Sequence, residues 1–401
     1  MKKVLKYLLA ALLMLGVTLA VTACSNDDGP TPTPAPAPGA AATPTPAPAP
    51  ATTPDAATPA AGNDLTVFLV SHSPAPASTL DDGSFNQGSA DGIRRFVANN
   101  PGSSFDFMQP HEATDPARID VFIDAIGAGA DVLVLPGFHF AASVYEAQSL
   151  FPETYFVLID TGPAGAPASN LVGVMYAEQE SGFLAGYAAV RDGFTQLGFM
   201  GGNPVPAVIR FGLGFLQGAE HAAAQMGLAA GEVEVNFMYL GGFGAAPEHT
   251  ATANSWYAAG TEVIFVAAGA AGNSVAAAAE AGADRWMIGV DVDQSGLSDR
   301  ILTSAMKGLE PSVYAILNEI ATGTFRGGQI IRFNAATDGV SLPMGTSRFT
   351  NFTQAQYDAI FNQIAGGSVV VPDLVNVDDL DPAAELAAVL GRLSLVTVND
   401  I

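Results

Sequence analysis

Lysine is almost missing from this chain. Four occur in 401 residues, three of them within the first six positions, so Lys307 is the only lysine beyond Lys6. Basic residues number 15 against 39 acidic ones, for a formal charge of −24. Nucleic acid and anionic membrane surfaces are held through clustered Lys and Arg, so neither is expected as a main partner. A single cysteine, Cys24, excludes any internal disulfide.

Enzyme signatures are equally sparse. The five histidines, His72, His111, His139, His221 and His249, are scattered with no pair at zinc-ligand spacing. There is no G-x-S-x-G and no P-loop. Gly212-Leu213-Gly214 with Gly218 is one residue too long for a dinucleotide fingerprint and falls in a helical pattern. Ser304-Ala305-Met306-Lys307 fits S-x-x-K, but its K-T-G partner is impossible without another lysine. The expectation is a protein without catalysis, metal or cofactor.

The N-terminus, by contrast, is rich in signals. "MKKVLKYLLAALLMLGVTLAVTA" (1–23) places three lysines before an apolar run and reads as a signal peptide, rather short for a stable membrane span. Val21-Thr22-Ala23-Cys24 resembles the bacterial lipobox, which implies that Cys24 is lipidated and becomes the new N-terminus. Residues 24–63 are largely Pro, Ala and Thr, which cannot bury a core and favour an extended, semi-rigid spacer. The expected layout is a lipid-anchored, extracytoplasmic body on a stalk.

From Leu65 the pattern alternates. Apolar runs at 65–70, 131–136, 154–160, 196–202, 233–240, 262–269, 285–291 and 301–306 read as buried strands. Helix-period stretches fall between them at 88–98, 116–126, 141–151, 180–190, 210–226, 251–259 and 274–281. This alternation predicts an α/β protein with parallel sheets covered on both faces. Residues 197–226 repeat the strand, turn and helix of 65–98, which predicts two doubly wound lobes with a cleft between their strand ends.

Asp160 closes "YFVLID", and Asp291 and Asp293 follow "WMIGV". Such carboxylates either face a ligand at the cleft or cap the next helix. Lys307 ends a strand, where an ammonium would meet a ligand's hydroxyls or a carboxylate across the cleft.

The blocks "DDGSFNQGSADG" (81–92), "VGVMYAEQESGFLAGYAAV" (172–190), "GTEVIFVAAGAAGNSV" (260–275), "IGVDVDQ" (288–294) and "ILTSAMKGLEPSVYAIL" (301–317) resemble the basic membrane protein family. These are lipoprotein substrate-binding components of ABC importers, with purine nucleoside receptors among them. The resemblance implies a type I periplasmic-binding fold, two Rossmann-like lobes joined by three crossings. The lobes are expected at 64–178 plus 301–327 and at 179–300 plus 328–401. It also implies a first ligand loop of Asp82, Ser84, Phe85 and Asn86, a base-stacking Phe243, and Gly269 and Asn273 beside the site. Asp291 and Lys307 match a pair gripping ribose hydroxyls, with Asp160 as a base contact. The chain departs from the family at Ala90, where an aromatic is usual, and Phe138 or Phe140 is the candidate replacement. The implied partners are a nucleoside-like small molecule, an ABC permease and its ATPase, and the binding protein itself is expected to be a monomer. A flavin ligand, or a sensor role without transport, is the alternative.

Overall fold

The structure is a computed structural model, and it describes residues 64–400 apart from 76, 77 and 378. The signal peptide, Cys24 and spacer expected over 1–63 lie outside the described residues.

The chain starts with β1 (Thr66–Val70), α1 (Phe85–Asn99), β2 (Ser104–Met108), α2 (Asp115–Gly127), β3 (Val132–Pro136), α3 (Ala141–Leu150), β4 (Tyr155–Ile159) and β5 (Leu171–Tyr176). It continues with α4 (Glu178–Asp192), β6 (Gln196–Gly201), α5 (Pro206–Met226), β7 (Val233–Tyr239), α6 (Pro247–Ala258), β8 (Val263–Ala267), α7 (Ala271–Glu280), β9 (Trp286–Asp291) and β10 (Ile301–Lys307). After these come α8 (Leu309–Thr322), β11 (Gln329–Phe333), β12 (Val340–Ser341), α9 (Gln354–Ala365), α10 (Pro382–Leu390) and β13 (Val396–Asp400).

Two sheets result, ordered β11-β5-β4-β3-β1-β2 and β12-β10-β9-β8-β6-β7-β13. All pairs are parallel except β10 with β12. β3, β4 and β8 are buried at every residue, as central parallel strands covered on both faces must be. In the first sheet, alternate residues feed two cores. Val67, Val132, Val157 and Val174 pack under α1 and α8, whereas Phe68, Leu133, Phe156 and Leu158 pack under α2 and α3. The second sheet is divided in the same way between α4 with α5 and α6 with α7.

The expected lobe boundaries near the end of the chain need correction. β10 pairs with β9, so residues 301–307 belong to the second lobe rather than the first. β11 pairs with β5, so residues 329–333 return to the first lobe. Between them α8 lies on α1, with Leu309 and Val313 in the first lobe's core. The chain therefore crosses between lobes after β5, after β10 and after β11.

Each crossing helix packs in the lobe opposite the strand it follows, and glycines set how closely. A Cβ on Gly182 or Gly186 of α4 would collide with the Phe211 or Phe215 carbonyl of α5. One on Gly214 or Gly218 of α5 would collide with the Gln179 or Phe183 carbonyl of α4. Two of the three glycines that fail as a dinucleotide fingerprint, Gly214 and Gly218, are thus one half of a backbone-to-backbone helix crossing, while Gly212 makes room for the Phe199 and Phe237 rings. Gly88 and Gly92 of α1 serve the α1–α8 contact, where the neighbours of Gly88 are the Val292 and Leu309 side chains. Ala90, between them, is fully buried in the first lobe's core. The ring expected at that position would point into packing rather than the cleft, so its absence removes nothing from the cleft wall.

Candidate functional site

The C-terminal ends of the strands face each other across a cleft of about 980 Å³, mouth included. The two lobes use matching strands to line it. β1 to β5 correspond in sheet position to β6 to β10, so Asp160 after β4 is the counterpart of Asp291 ending β9. Both aspartates have left-handed backbones, at φ 70° and 68°. Non-glycine residues rarely take this conformation, Asp and Asn more readily than most, and it costs on the order of 1 kcal/mol or more. The twist turns each carboxylate out of its strand toward the other lobe.

They meet at Lys307, which ends β10 at the second crossing. Its Nζ lies 2.6 Å from Asp160 Oδ2 and 3.1 Å from Asp291 Oδ1. The ammonium also sits 4.5 Å from the centre of the Phe85 ring, close enough for an attractive cation–π contact. Lys307 is 4% exposed, and burial by itself would lower its pKa. Asp160 and Asp291 outweigh that, so the net shift is upward and the lysine stays charged. Burial pushes the Asp160 carboxyl up against the pull of Lys307, and Asp160 Oδ1 has no hydrogen-bond partner among the described residues. A buried acceptor in that state is ready for a ligand's donor.

Behind the lysine stands a residue that the sequence reading did not single out. Glu178 opens α4 at the first crossing, is 1% exposed, and lies 3.7 Å from Arg210. Burial and then the charge of Asp160 push its carboxyl up to about 7. Arg210 in turn contacts Asp373, which also binds Arg332 at 2.7 Å. The strand-end lysine is thus backed by a charge network running through the hinge.

The first loop does several jobs at once. Ser84 Oγ donates to Asp291 Oδ2 at 2.5 Å and is fully buried, so it bridges the lobes without lining the cleft. The Asp82 carboxylate accepts from the Ser84, Asn86 and Gln87 amides and so caps the start of α1 while forming part of the wall. Asn86 donates to Ser78 Oγ and the Thr79 carbonyl, which holds the loop against the cleft. Gln294 adds a second bridge, donating to the Gly83 carbonyl at 2.9 Å.

Of the ten residues nominated from sequence, Asp82, Phe85, Asn86, Asp160, Phe243, Gly269, Asp291 and Lys307 line the cleft. Asn273 does not; it stands exposed on α7, past the buried Ala271 and Gly272. Asp293 is exposed and accepts from the Ser295 amide and the Thr346 hydroxyl, so it organises a turn. Phe138 lines the cleft, whereas Phe140 is fully buried behind it.

Strand order gives the cleft a polarity. Lys307, Asp160 and Asp291 lie at the β4, β9 and β10 end, next to the crossings. The β1, β3, β6, β7 and β8 end is lined by Phe138, His139, His72, Val205, Val208 and Phe243. Phe243 lies over Gly202, where a Cβ would meet its ring at 2.5 Å. One end offers charged partners for hydroxyls, and the other offers rings and apolar side chains beside the polar loop of Ser78, Thr79, Asp82 and Asn86. Among the described residues, no group of three His, Cys, Asp or Glu side chains is placed to hold a metal ion. No described helix is long and apolar enough to cross a membrane.

A family model described as ABC transporter substrate-binding protein PnrA-like, named Bmp, matches residues 74–374. The chain belongs to this family. Among Bmp-family relatives, an ABC transporter nucleoside-binding protein from Lactococcus lactis subsp. cremoris is 28% identical, over 74% of this chain and 87% of its own. Basic membrane protein A1 of Borrelia garinii subsp. bavariensis is 27% identical over 73% of this chain and 86% of its own. In fold the chain is similar to an ABC-system solute-binding protein from Aeropyrum pernix K1 (TM-score 0.61, 23% identity, covering 82% of this chain and 85% of that one). A Conexibacter woesei solute-binding protein gives TM-score 0.61 at 22% identity, covering 77% and 99%. The type I binding fold and membership of an ABC substrate-binding family follow directly.

Proposed function

We propose that this Bmp-family protein captures a neutral nucleoside, in the first instance a purine nucleoside, outside the cytoplasm and hands it to an ABC permease. The observation that carries the reading is the polarity of the cleft. The charges that can hold hydroxyls, Lys307, Asp160 and Asp291, stand at the crossing end, and Phe138 and Phe243 stand at the other, matching the two halves of a nucleoside. The Lactococcus lactis relative's name points the same way.

Charge narrows the ligand further. Asp82, Asp160 and Asp291 line the cleft with one ammonium, Lys307, which pairs with Asp160 and Asp291. Three carboxylates against one cation repel a phosphate, so nucleotides are disfavoured. Capture needs no chemistry. A ligand touching both lobes binds the closed state better than the open one and shifts the population accordingly. The closed form then docks on the permease, and the ATPase drives release. Anchoring through a lipidated Cys24, with the body acting as a monomer, completes the proposal.

Calorimetric titration tests the reading. Adenosine and inosine are expected to bind, adenosine monophosphate at least tenfold more weakly than adenosine, and Lys307→Ala to weaken nucleosides far more than free bases. Binding of riboflavin with no response to nucleosides would favour the flavin alternative. Equal nucleoside affinity in Lys307→Ala and the parent would sink the assignment of Lys307 to the ribose.

A further inference from the structure

The outer end of the cleft is not simply greasy. Two imidazoles stand in its wall, His72 just beyond β1 and His139 in the turn after β3. Their rings stack at 4.5 Å with an interplanar angle of 18°, and Phe138 continues the column 4.0 Å from His139. Neither imidazole hydrogen-bonds another described residue. A hydrophobic wall alone would be built more simply from Phe or Leu.

Arg118 is placed behind this pair. It is 5% exposed, donates through Nε to the His72 carbonyl at 3.0 Å and pairs with Asp115 at 2.9 Å. The groups facing the two rings are therefore each other, Arg118 from α2 and, near His139, Asp115. Burial first, then His139 and Arg118, lowers the His72 pKa to about 4. Burial and Arg118 also lower that of His139. Both rings are neutral at neutral pH. A neutral imidazole offers one N–H donor and one nitrogen acceptor, so the pair presents both kinds of hydrogen-bonding group on one wall.

We propose that His72 and His139 are specificity-determining residues that read the edge of a flat heteroaromatic ring, selecting one that carries an adjacent hydrogen-bond acceptor and N–H donor. This rests on the nucleoside reading above and names the ligand class within it: a purine nucleoside substituted at position 6 with an oxo or amino group, such as inosine, over one whose ring edge lacks such a group. The geometry supports it through chain order. With the hydroxyls held by Asp160, Asp291 and Lys307 near the crossings, the ring of the same ligand extends toward β1 and β3, where both imidazoles stand. A site that hydrogen-bonds a ligand edge rejects the analogue without that edge more strongly than an apolar pocket does, because its own polar groups are then left unpaired.

The test is titration of the purified protein with inosine and with purine riboside, which keeps the ring and ribose but lacks the oxo group and its N–H. Wild type is expected to prefer inosine by about tenfold or more, as one or two hydrogen bonds allow. His139→Phe and His72→Phe keep a stacking ring and should each lower that ratio severalfold, chiefly through lost inosine affinity. His139→Gln restores a donor and an acceptor and should recover part of the preference, which packing alone would not do. Thermal melting identifies any variant that fails to fold, and the ratio is then read from the other two. An unchanged inosine-to-purine-riboside ratio in the folded Phe variants would overturn the edge-reading role while leaving the nucleoside reading intact. Wild type binding neither nucleoside would overturn both.

Discussion

The two lobes share a strand order and place an aspartate in the same left-handed conformation at the same strand end, yet they equip the cleft differently. At the end of β10 the second lobe has Lys307; at the matching end of β5 the first has Tyr176, fully buried with its hydroxyl 2.5 Å from Ser312. After β3 the first lobe has Phe138 and His139, while after β8 the second has Ala268 and Gly269. A duplicated frame thus supplies paired acids, and departures from the duplication supply one cation and one aromatic column. A two-fold symmetric cleft would suit a symmetric ligand. The asymmetry suits a molecule with two unlike halves.

The helix crossings provide the largest test of that comparison. Gly214 of α5 faces the Gln179 carbonyl, which is backbone and cannot turn aside, whereas Gly88 of α1 faces the Val292 and Leu309 side chains. Gly214→Ala is expected to lose about 2–3 kcal/mol of unfolding free energy, since overpacking here must push two helices apart. Gly88→Ala is expected to cost less, about 1–2 kcal/mol, because the Val292 and Leu309 side chains can shift where a carbonyl cannot and alanine favours the helix. Urea denaturation measures both. Equal losses would mean that the two crossings are packed alike.

A smaller effect separates the paired acids. Asp291 accepts from Ser84 and also pairs with Lys307, while Asp160 pairs with Lys307 through one oxygen, at 2.6 Å, and keeps the other unpaired. Asparagine tolerates the left-handed backbone, so Asp→Asn removes charge without adding strain. Each substitution should weaken nucleoside binding roughly tenfold or more, the worth of a charged hydrogen bond. Asp291→Asn is also expected to destabilise the unliganded protein by about 1–2 kcal/mol, and Asp160→Asn by less. Matching melting temperatures for the two variants would erase the distinction between a bridge and a waiting acceptor.

Much of the frame was legible because central strands announce themselves. Every apolar run nominated as a strand became one, and the seven helical stretches each contain a helix. β2, β5, β11, β12, β13 and α8 to α10 were not nominated, although β5 is buried at five of its six positions. β2 and β11 lie at sheet edges with every position exposed or half-exposed, and β12 has two residues. The boundary at residue 301 was misplaced because β10 and α8 are adjacent in sequence but packed in different lobes, which periodicity cannot reveal. Asp160, Asp291 and Lys307 could be nominated from their strand ends. His72 and His139 could not, since 67 positions separate two histidines that the sheet order brings to neighbouring strands. Glu178 carried no signal either. Its environment is made by Arg210, Asp160 and Lys307, all distant in sequence.

Glu178 also marks the last difference between the lobes, because the matching start of α8 is Leu309. One crossing helix begins with a buried acid and the other with a buried apolar residue. With its carboxyl raised from 4.5 to about 7, Glu178 binds a proton more tightly in the folded state than in the unfolded chain. Its contribution to stability is therefore best below about pH 4.5 and falls as pH rises toward 7, where the folded protein must carry the buried charge. Asp160 is shifted in the same direction and adds to the slope. Glu178→Gln is expected to remove part of the loss, so that the variant gains on wild type by about 1–2 kcal/mol between pH 5 and pH 8, within what a shift of this size supplies. Denaturant midpoints across that range measure it. Parallel curves for wild type and Glu178→Gln would show that the acid ionises as freely at the crossing as it does in the unfolded chain, and the lobes would then differ there in side chain but not in electrostatics.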